Sequence, residues 1–280
     1  MAKFDTIALE PWAKFRAGKV KNNTIKRDFT FITSFTQFCA LTRNNYCKAL
    51  TNNMVEEKPD SWLPFDKNEL ELIFSNLPIS DKDENWEFWI PLIGLYTGGR
   101  ISEISALRID NFKTIMNIEV YHLPGTKTDA SPRDLPIHPD LIDIGLLSLV
   151  EKRRNEGKER LFDIKDSPSN GAGARPSKDF RKLTRTKLKI TNDRKVFHSF
   201  RHLITHHLIQ VSSDFMANTQ YTWHTKENSV KVEIYGTNIN LDTLKKETID
   251  KMDWNKFIGW SPDLISLKKQ ANSILIRDQN

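Results

Sequence analysis

Four short stretches of this chain carry side chains suited to one kind of chemistry, the displacement of an oxygen at phosphorus. In the first, Tyr96-Thr97-Gly98-Gly99-Arg100-Ile101-Ser102-Glu103-Ile104, an arginine stands at a glycine break that opens a helix. Free amides and the positive end of a helix favour an anion there. The second, Gly125-Thr126-Lys127-Thr128-Asp129-Ala130-Ser131-Pro132-Arg133-Asp134-Leu135-Pro136, sets Lys127 at the tip of a predicted β-hairpin. In the third, Phe197-His198-Ser199-Phe200-Arg201-His202, a histidine and an arginine lie one helical turn apart on a shared face. The fourth is Trp223-His224, followed by Tyr235-Gly236.

Other phosphate and hydrolase signatures are missing. Gly125-Thr126-Lys127-Thr128 resembles the tail of a phosphate-binding P-loop, but the upstream glycine is absent, and no His-Glu-x-x-His motif occurs. His202 and His206 have metal-ligand spacing, yet without an intervening glutamate or a clear third ligand they read as ordinary helix histidines. No acidic cluster has the pattern of a two-metal phosphodiesterase. The expectation is therefore a site without metal or cofactor. Metal-free transfer at phosphorus needs fixed cations for the non-bridging oxygens, and arginine serves best because its planar fork meets two oxygens and keeps its charge. It also needs a nucleophile and a proton donor for the leaving oxygen.

Each of these residues alone has an ordinary explanation: Arg100 paired with Glu103, Lys127 in an exposed turn, His198 in a core, Tyr235 at an aromatic edge. Taken together and in this order, the set resembles the tyrosine recombinase (phage integrase) family from about Trp62 to Met252. TGGRISEISAL is similar to the family's first arginine box, TKTDASPRDLPIHP to its lysine hairpin and FHSFRHLITHHL to its HxxR box. Trp223-His224 and Val232-Glu233-Ile234-Tyr235-Gly236 are similar to the closing histidine and nucleophilic tyrosine. Two positions depart from the pattern: Gly99, where a larger apolar residue is usual, and Trp223, where glycine is common.

The resemblance implies a site-specific DNA recombinase that needs neither metal nor ATP. Tyr235 would attack a phosphodiester to give a 3′-phosphotyrosyl bond and a free 5′-hydroxyl. His198 would assist the phenol, Arg100, Arg201 and His224 would hold the non-bridging oxygens, and Lys127 would protonate the leaving oxygen. Glu103 would orient Arg100 or its helix rather than transfer protons. Also implied are double-stranded DNA with recombination sites, a tetramer in the synapse (a monomer when free), accessory directionality factors, and a cytoplasmic, nucleoid-associated protein from a phage or other mobile element. The competing readings are a type IB topoisomerase and a DNA-binding regulator that has lost catalysis; the intact catalytic set argues against the latter.

These residues need a scaffold to converge. The chain has 280 residues, 38% hydrophobic and 28% charged, enough for a large domain with a smaller lobe. Lys and Arg outnumber Asp and Glu by 42 to 36, for a net charge of +6. The longest apolar run, Trp86 to Tyr96, is broken by Glu87, Pro91 and Gly94 and falls short of a membrane span. Cys39 and Cys47 are read as reduced thiols.

The pattern predicts an α+β protein, mainly α, with a small antiparallel β-sheet; the resemblance implies that this is a helical catalytic domain preceded by part of a helical DNA-binding lobe. The expected divisions are residues 1–57 for the partial lobe, 58–262 for the catalytic domain and 263–280 for a C-terminal tail. Within the lobe, Ile25, Phe29, Ile32, Phe35 and Phe38 recur at helical spacing. The resemblance implies further residues upstream, and so a truncated chain.

Helices are expected at Asp66–Leu77, Asn85–Tyr96, Arg100–Leu107, Pro139–Asn155, Ser177–Thr186, Ser199–Val211 and Leu241–Asp253, and strands at Met116–Leu123 and Arg133–Ile137. The stripe Leu241, Leu244, Ile249 and Met252 resembles a family helix that docks on a neighbouring protomer; packing on its own domain is the alternative. Between Arg175 and Lys195, nine positive residues face two negative ones. Arg175, Lys178, Arg181, Lys182, Arg185, Lys187 and Lys189 are the expected contacts to backbone phosphates.

Overall fold

The computed structural model describes residues 11–12, 14–16, 19–20, 22–38, 62–79, 85–123, 133–168, 171–222 and 239–276. The chain divides into two units, 1–60 and 61–280. In the first, helix α1 (Asn22–Phe38) buries Ile25 and Phe29 against Trp12, Val20 and Ile32. Trp12 meets Phe29 edge-on at 5.4 Å, and Arg16 pairs with Asp28 at 2.7 Å. The apolar stripe is shorter than its spacing predicts, since Phe35 is 63% exposed. The side chain of Phe38, the segment 51–60 and both cysteines lie outside the described residues.

The second unit begins with α2 (Lys67–Phe74), held by the expected capping box. The Asp66 carboxylate accepts from the Glu69 amide at 3.1 Å and the Glu69 carboxylate from the Asp66 amide at 2.9 Å, which satisfies two amides that a helix start leaves open. Next comes α3 (Trp86–Thr97), apolar on nearly every face; Phe88, Trp89, Leu92, Leu95 and Tyr96 are completely buried. Gly98 ends it in the left-handed conformation, and α4 (Ile101–Ser105) starts directly after Arg100.

Strands β1 (Phe112–Ile115), β2 (Ile118–Leu123) and β3 (Arg133–Pro136) make an antiparallel sheet in the order β1-β2-β3. Val120 stands opposite Pro136, and Leu123 opposite Arg133. The expected strand start at Met116 is corrected here. Met116 and Asn117 have φ of 51° and 61° and form the two-residue turn between β1 and β2. Such turns usually carry Asn-Gly or Asp-Gly, so Met-Asn gave little warning of the turn or of β1.

The helix expected over Pro139–Asn155 is two, α5 (Pro139–Ile144) and α6 (Leu146–Asn155), divided at Gly145 with φ 117°. After α6 come α7 (Ala174–Arg181), running into a π-helical turn at Lys182–Lys187, and α8 (Ser199–Val211). Helix α9 (Phe215–Thr222) follows. Helix α10 (Leu241–Glu247) stops at Thr248 and passes into a tight turn at Ile249–Lys251, so the expected helix through Asp253 is shorter. Its Leu244, Ile249 and Met252 are buried in the core of their own unit, not offered to a second copy.

The chain then forms α11 (Trp254–Ile258) and α12 (Leu264–Ile276). The latter occupies most of the expected C-terminal tail: Asp263 caps it, accepting from the Ser266 amide at 3.0 Å, and Leu267, Ala271 and Ile274 are buried. Among the described residues no helix is long and apolar enough to cross a membrane.

One core joins these helices. Phe200 on α8 is fully buried and packs against Phe65, Phe74, Phe180 and Phe197 at ring separations of 5.1 to 5.9 Å. This cluster fixes α8 against α2 and α7, and the end of α3 sits on α8. The fold thereby brings the first arginine box beside the HxxR box.

Candidate active site

The glycine break after α3 sets the position of Arg100. Gly98 has φ +59°, and a Cβ built on it would lie 3.3 Å from the Arg201 Cα. Only a residue without a side chain lets the two backbones come so close. The Arg201 guanidinium bridges the gap, donating from Nη1 to the Gly98 carbonyl at 3.1 Å. Gly99 likewise has a local reason. Its amide donates to the Thr97 hydroxyl at 2.9 Å, and a Cβ on it would meet that oxygen at 3.0 Å and Ile104 at 3.1 Å. Thr97 and Ile104 fill the volume that a larger residue would need.

Glu103 gathers the cations. Its side chain is completely buried and accepts from the Arg100 amide at 3.0 Å, from Arg100 Nη1 at 2.8 Å and from Arg133 Nη2 at 3.4 Å. Burial alone would raise its pKa, but Arg133 and Arg100 outweigh burial and hold the carboxyl below its usual range. Glu103 is held in its ionised form and bonds both the backbone amide and the guanidinium of Arg100. Helix α4 is only five residues long, so its dipole adds little to an anion site and the arginines supply the field.

Arg201 is 2% exposed. Burial, then Arg133 and Arg100 nearby, press its pKa down to about 9, still on the charged side at neutral pH. Three guanidinium groups thus stand close to one carboxylate. His198 is half-buried just ahead of α8, its ring 5.3 Å from that of His202. Burial and Arg201 hold His202 below the usual histidine range. His206 lies against Phe257 at 6.0 Å. Among the described residues no group of three or more His, Cys, Asp and Glu is disposed to hold a metal ion.

Arg133 was not among the residues expected at the site. The signal that could have found it is its phase with Leu135 and Ile137, at alternate positions along β3 and the residue after it; all three are buried. Behind it, Tyr121 and Tyr221 are buried, and burial pushes both phenols well above the usual tyrosine range. Burial and then Asp140 do the same to Tyr96, whose hydroxyl donates to Asp140 at 2.6 Å. Lys127, His224 and Tyr235 lie outside the described residues.

The basic stretch divides into two kinds of residue. Arg175, Lys178, Arg181, Lys182, Lys187 and Lys189 are exposed. Arg185, expected on the same phosphate-binding face, turns inward: Nη1 donates to the Ile190 carbonyl at 2.5 Å and Nη2 to the Lys195 carbonyl at 2.7 Å. It closes the loop that follows the π-helical turn. Lys195 is tied to the α2 capping box through Asp66 and Glu69.

Known structures share this arrangement of helices and sheet. The Tn1549 transposon integrase (residues 82–397), solved in complex with circular intermediate DNA, superposes over 85% of this chain and 82% of its own with a TM-score of 0.55 at 16% identity. The same integrase carrying Y379F, in complex with transposon right end DNA, gives 0.57 over the same shares at 16% identity. The fold is that of this integrase. The integrase from mycobacterium phage Brujita is a more distant match, with a TM-score of 0.47 at 14% identity over 96% of this chain and 84% of its own. No family model and no curated protein matches the sequence. The mainly α architecture with a small antiparallel sheet is as the sequence predicts, and it is the integrase fold that sets Arg100 and Arg201 side by side.

Proposed function

We propose that this chain is a tyrosine recombinase that cuts and rejoins double-stranded DNA at specific sites. The Tyr235 phenol oxygen attacks a phosphodiester phosphorus, His198 taking up the phenol proton. The bond to the 5′-oxygen breaks, Lys127 protonates that oxygen, and the 3′-phosphate stays on Tyr235. The 5′-hydroxyl of a second strand then reverses the step, so the energy of the bond is kept and no nucleotide cofactor is needed. Arg100, Arg201 and His224 hold the non-bridging oxygens as charge grows on them. Copies of this chain assemble on paired sites, a tetramer holding two duplexes.

The observation that carries this reading is the gathering of Arg100, Arg133 and Arg201 around the single carboxylate of Glu103. Guanidinium groups converging on one point suit a phosphodiester, because each planar fork can meet two non-bridging oxygens and keeps its charge. Tyr96, Tyr121 and Tyr221 are buried and their phenols resist ionisation. Of the remaining two, Tyr46 and Tyr235, it is Tyr235 that follows the His198, Arg201 and His224 boxes in the order the resemblance requires.

The exposed Lys178, Arg181, Lys182, Lys187 and Lys189 supply backbone-phosphate contacts. The test is a duplex nicked near the cleavage point, so that the released fragment diffuses away and the covalent adduct accumulates. Wild type should give a slow-migrating protein–DNA band in EDTA, and Tyr235→Phe none. An adduct with Tyr235→Phe, or a requirement for metal, would refute the proposal.

A further inference from the structure

Arg133 is the charged side chain that the roles above leave unused. It is 4% exposed at the start of β3, opposite Leu123. Among the described residues only its Nη2 is bonded, to Glu103 at 3.4 Å; Nε and Nη1 have no hydrogen-bond partner there. A buried guanidinium with one long bond is an expensive element to keep for stability alone, since an apolar residue of similar volume often serves as well or better.

Its position answers a conflict in the site. Glu103 must grip Arg100 to aim it, and it does so through the Arg100 amide and Nη1. A buried carboxylate bonded to one guanidinium also cancels that guanidinium's charge, and Arg100 would then offer a phosphate little more than a neutral donor. With Arg133 on the other side of the carboxylate, the trio Arg133–Glu103–Arg100 retains one positive charge.

We propose that Arg133 is a positioning residue for strand transfer: it neutralises Glu103, so that the carboxylate orients Arg100 without removing the charge Arg100 presents to the phosphate. The inference rests on the strand-transfer reading above. It assigns Arg133 no contact with the DNA. Being at the start of β3, next to the segment that carries Lys127, Arg133 also ties that strand to the first arginine box.

The experiment measures the rate of covalent adduct formation on the nicked duplex, with DNA affinity read separately by fluorescence anisotropy. Arg133→Met should slow the adduct about a hundredfold, the scale of losing one oxyanion donor, with affinity unchanged. Adding Glu103→Gln removes the carboxylate's charge while its amide oxygen still accepts from Arg100. The double variant Arg133→Met/Glu103→Gln should therefore recover to within about tenfold of wild type, as when both members of a buried pair are replaced together.

A merely structural role for Arg133 predicts the opposite, a double variant as slow as the single or slower. Arg133→Lys keeps the charge and should stay within about tenfold of wild type; it carries the test should Arg133→Met not fold. An unchanged rate in Arg133→Met, no recovery in the double variant, or a hundredfold loss in folded Arg133→Lys each overturns the inference. If wild type itself forms no adduct, it is the strand-transfer reading that fails; if wild type reacts and the Arg133 series behaves otherwise than stated, only the role of Arg133 does.

Discussion

Replacing Gly98 with alanine tests whether backbone proximity, and not merely the presence of two arginines, makes the site. Gly98 sits at φ +59°, and the new Cβ would press on the Arg201 Cα at 3.3 Å. A non-glycine residue in the left-handed region costs about 1–2 kcal/mol. The contact is with main chain, which cannot swing aside, so overpacking brings the total to about 2–3 kcal/mol. For a unit of this size that is a fall of roughly 4–12 °C in melting temperature.

The chain can relieve the contact only by moving the Gly98–Arg100 segment away from α8, which breaks the Arg201 bond to the Gly98 carbonyl, now 3.1 Å. The two guanidinium groups then no longer converge on one phosphate, and adduct formation should drop about 10²-fold, as for a lost oxyanion donor. Urea denaturation and the nicked-duplex assay read the two effects. A Gly98→Ala protein as stable and as fast as wild type would refute the reasoning, because it would mean that the glycine break has no part in setting Arg100 against Arg201.

Further outcomes follow from the same contacts. Phe200→Ala, which removes the hub of the aromatic cluster, should cost about 3–5 kcal/mol in urea unfolding; a loss under 1 kcal/mol would mean that α8 is held elsewhere. Lys182→Ala should lower the salt dependence of duplex binding by about one counterion. Arg185→Ala should leave that slope unchanged and lower stability instead, since its guanidinium serves the Ile190 and Lys195 carbonyls; a reduced slope would return Arg185 to the DNA face.

Burial holds His138 and His207 below the usual histidine range, and His207 Nε2 accepts from the Asp253 amide at 3.1 Å, which requires the neutral ring. The unfolded chain therefore binds protons that the folded one refuses once the pH drops below about 6.5, and stability, level above pH 7, falls on acidification. Urea midpoints from pH 8 to 5 should show this, with a shallower fall in His207→Gln; a flat profile would contradict it.

The sequence made the long elements legible where one physical signal dominated. The all-apolar run of α3, the Asp66/Glu69 box and the Ser199–Val211 helix lie where pattern alone places them. It was silent where geometry is set by tertiary contact. The Met116-Asn117 turn lacks the usual glycine, and α12 mixes Lys268, Lys269 and Gln270 into its apolar stripe.

The same division holds at the site. Arg100, Glu103 and Arg201 were legible because glycine breaks and one-turn spacings are local features. The closeness of Arg201 to Gly98 depends on two segments about a hundred residues apart in sequence, and is visible only once folded. Arg133 was hidden by its type, because a cation on a strand reads as solvent-facing until its phase with Leu135 and Ile137 is taken into account.

The most direct test of the central claim is to find where the DNA is attached. Wild-type protein trapped on the nicked duplex, digested and sequenced by mass spectrometry, should yield one nucleotide-bearing peptide with the modification on Tyr235, through a 3′-phosphate, alongside a DNA fragment ending in a free 5′-hydroxyl. A linkage to any other residue, or a phosphate left on the 5′ side, would contradict the account.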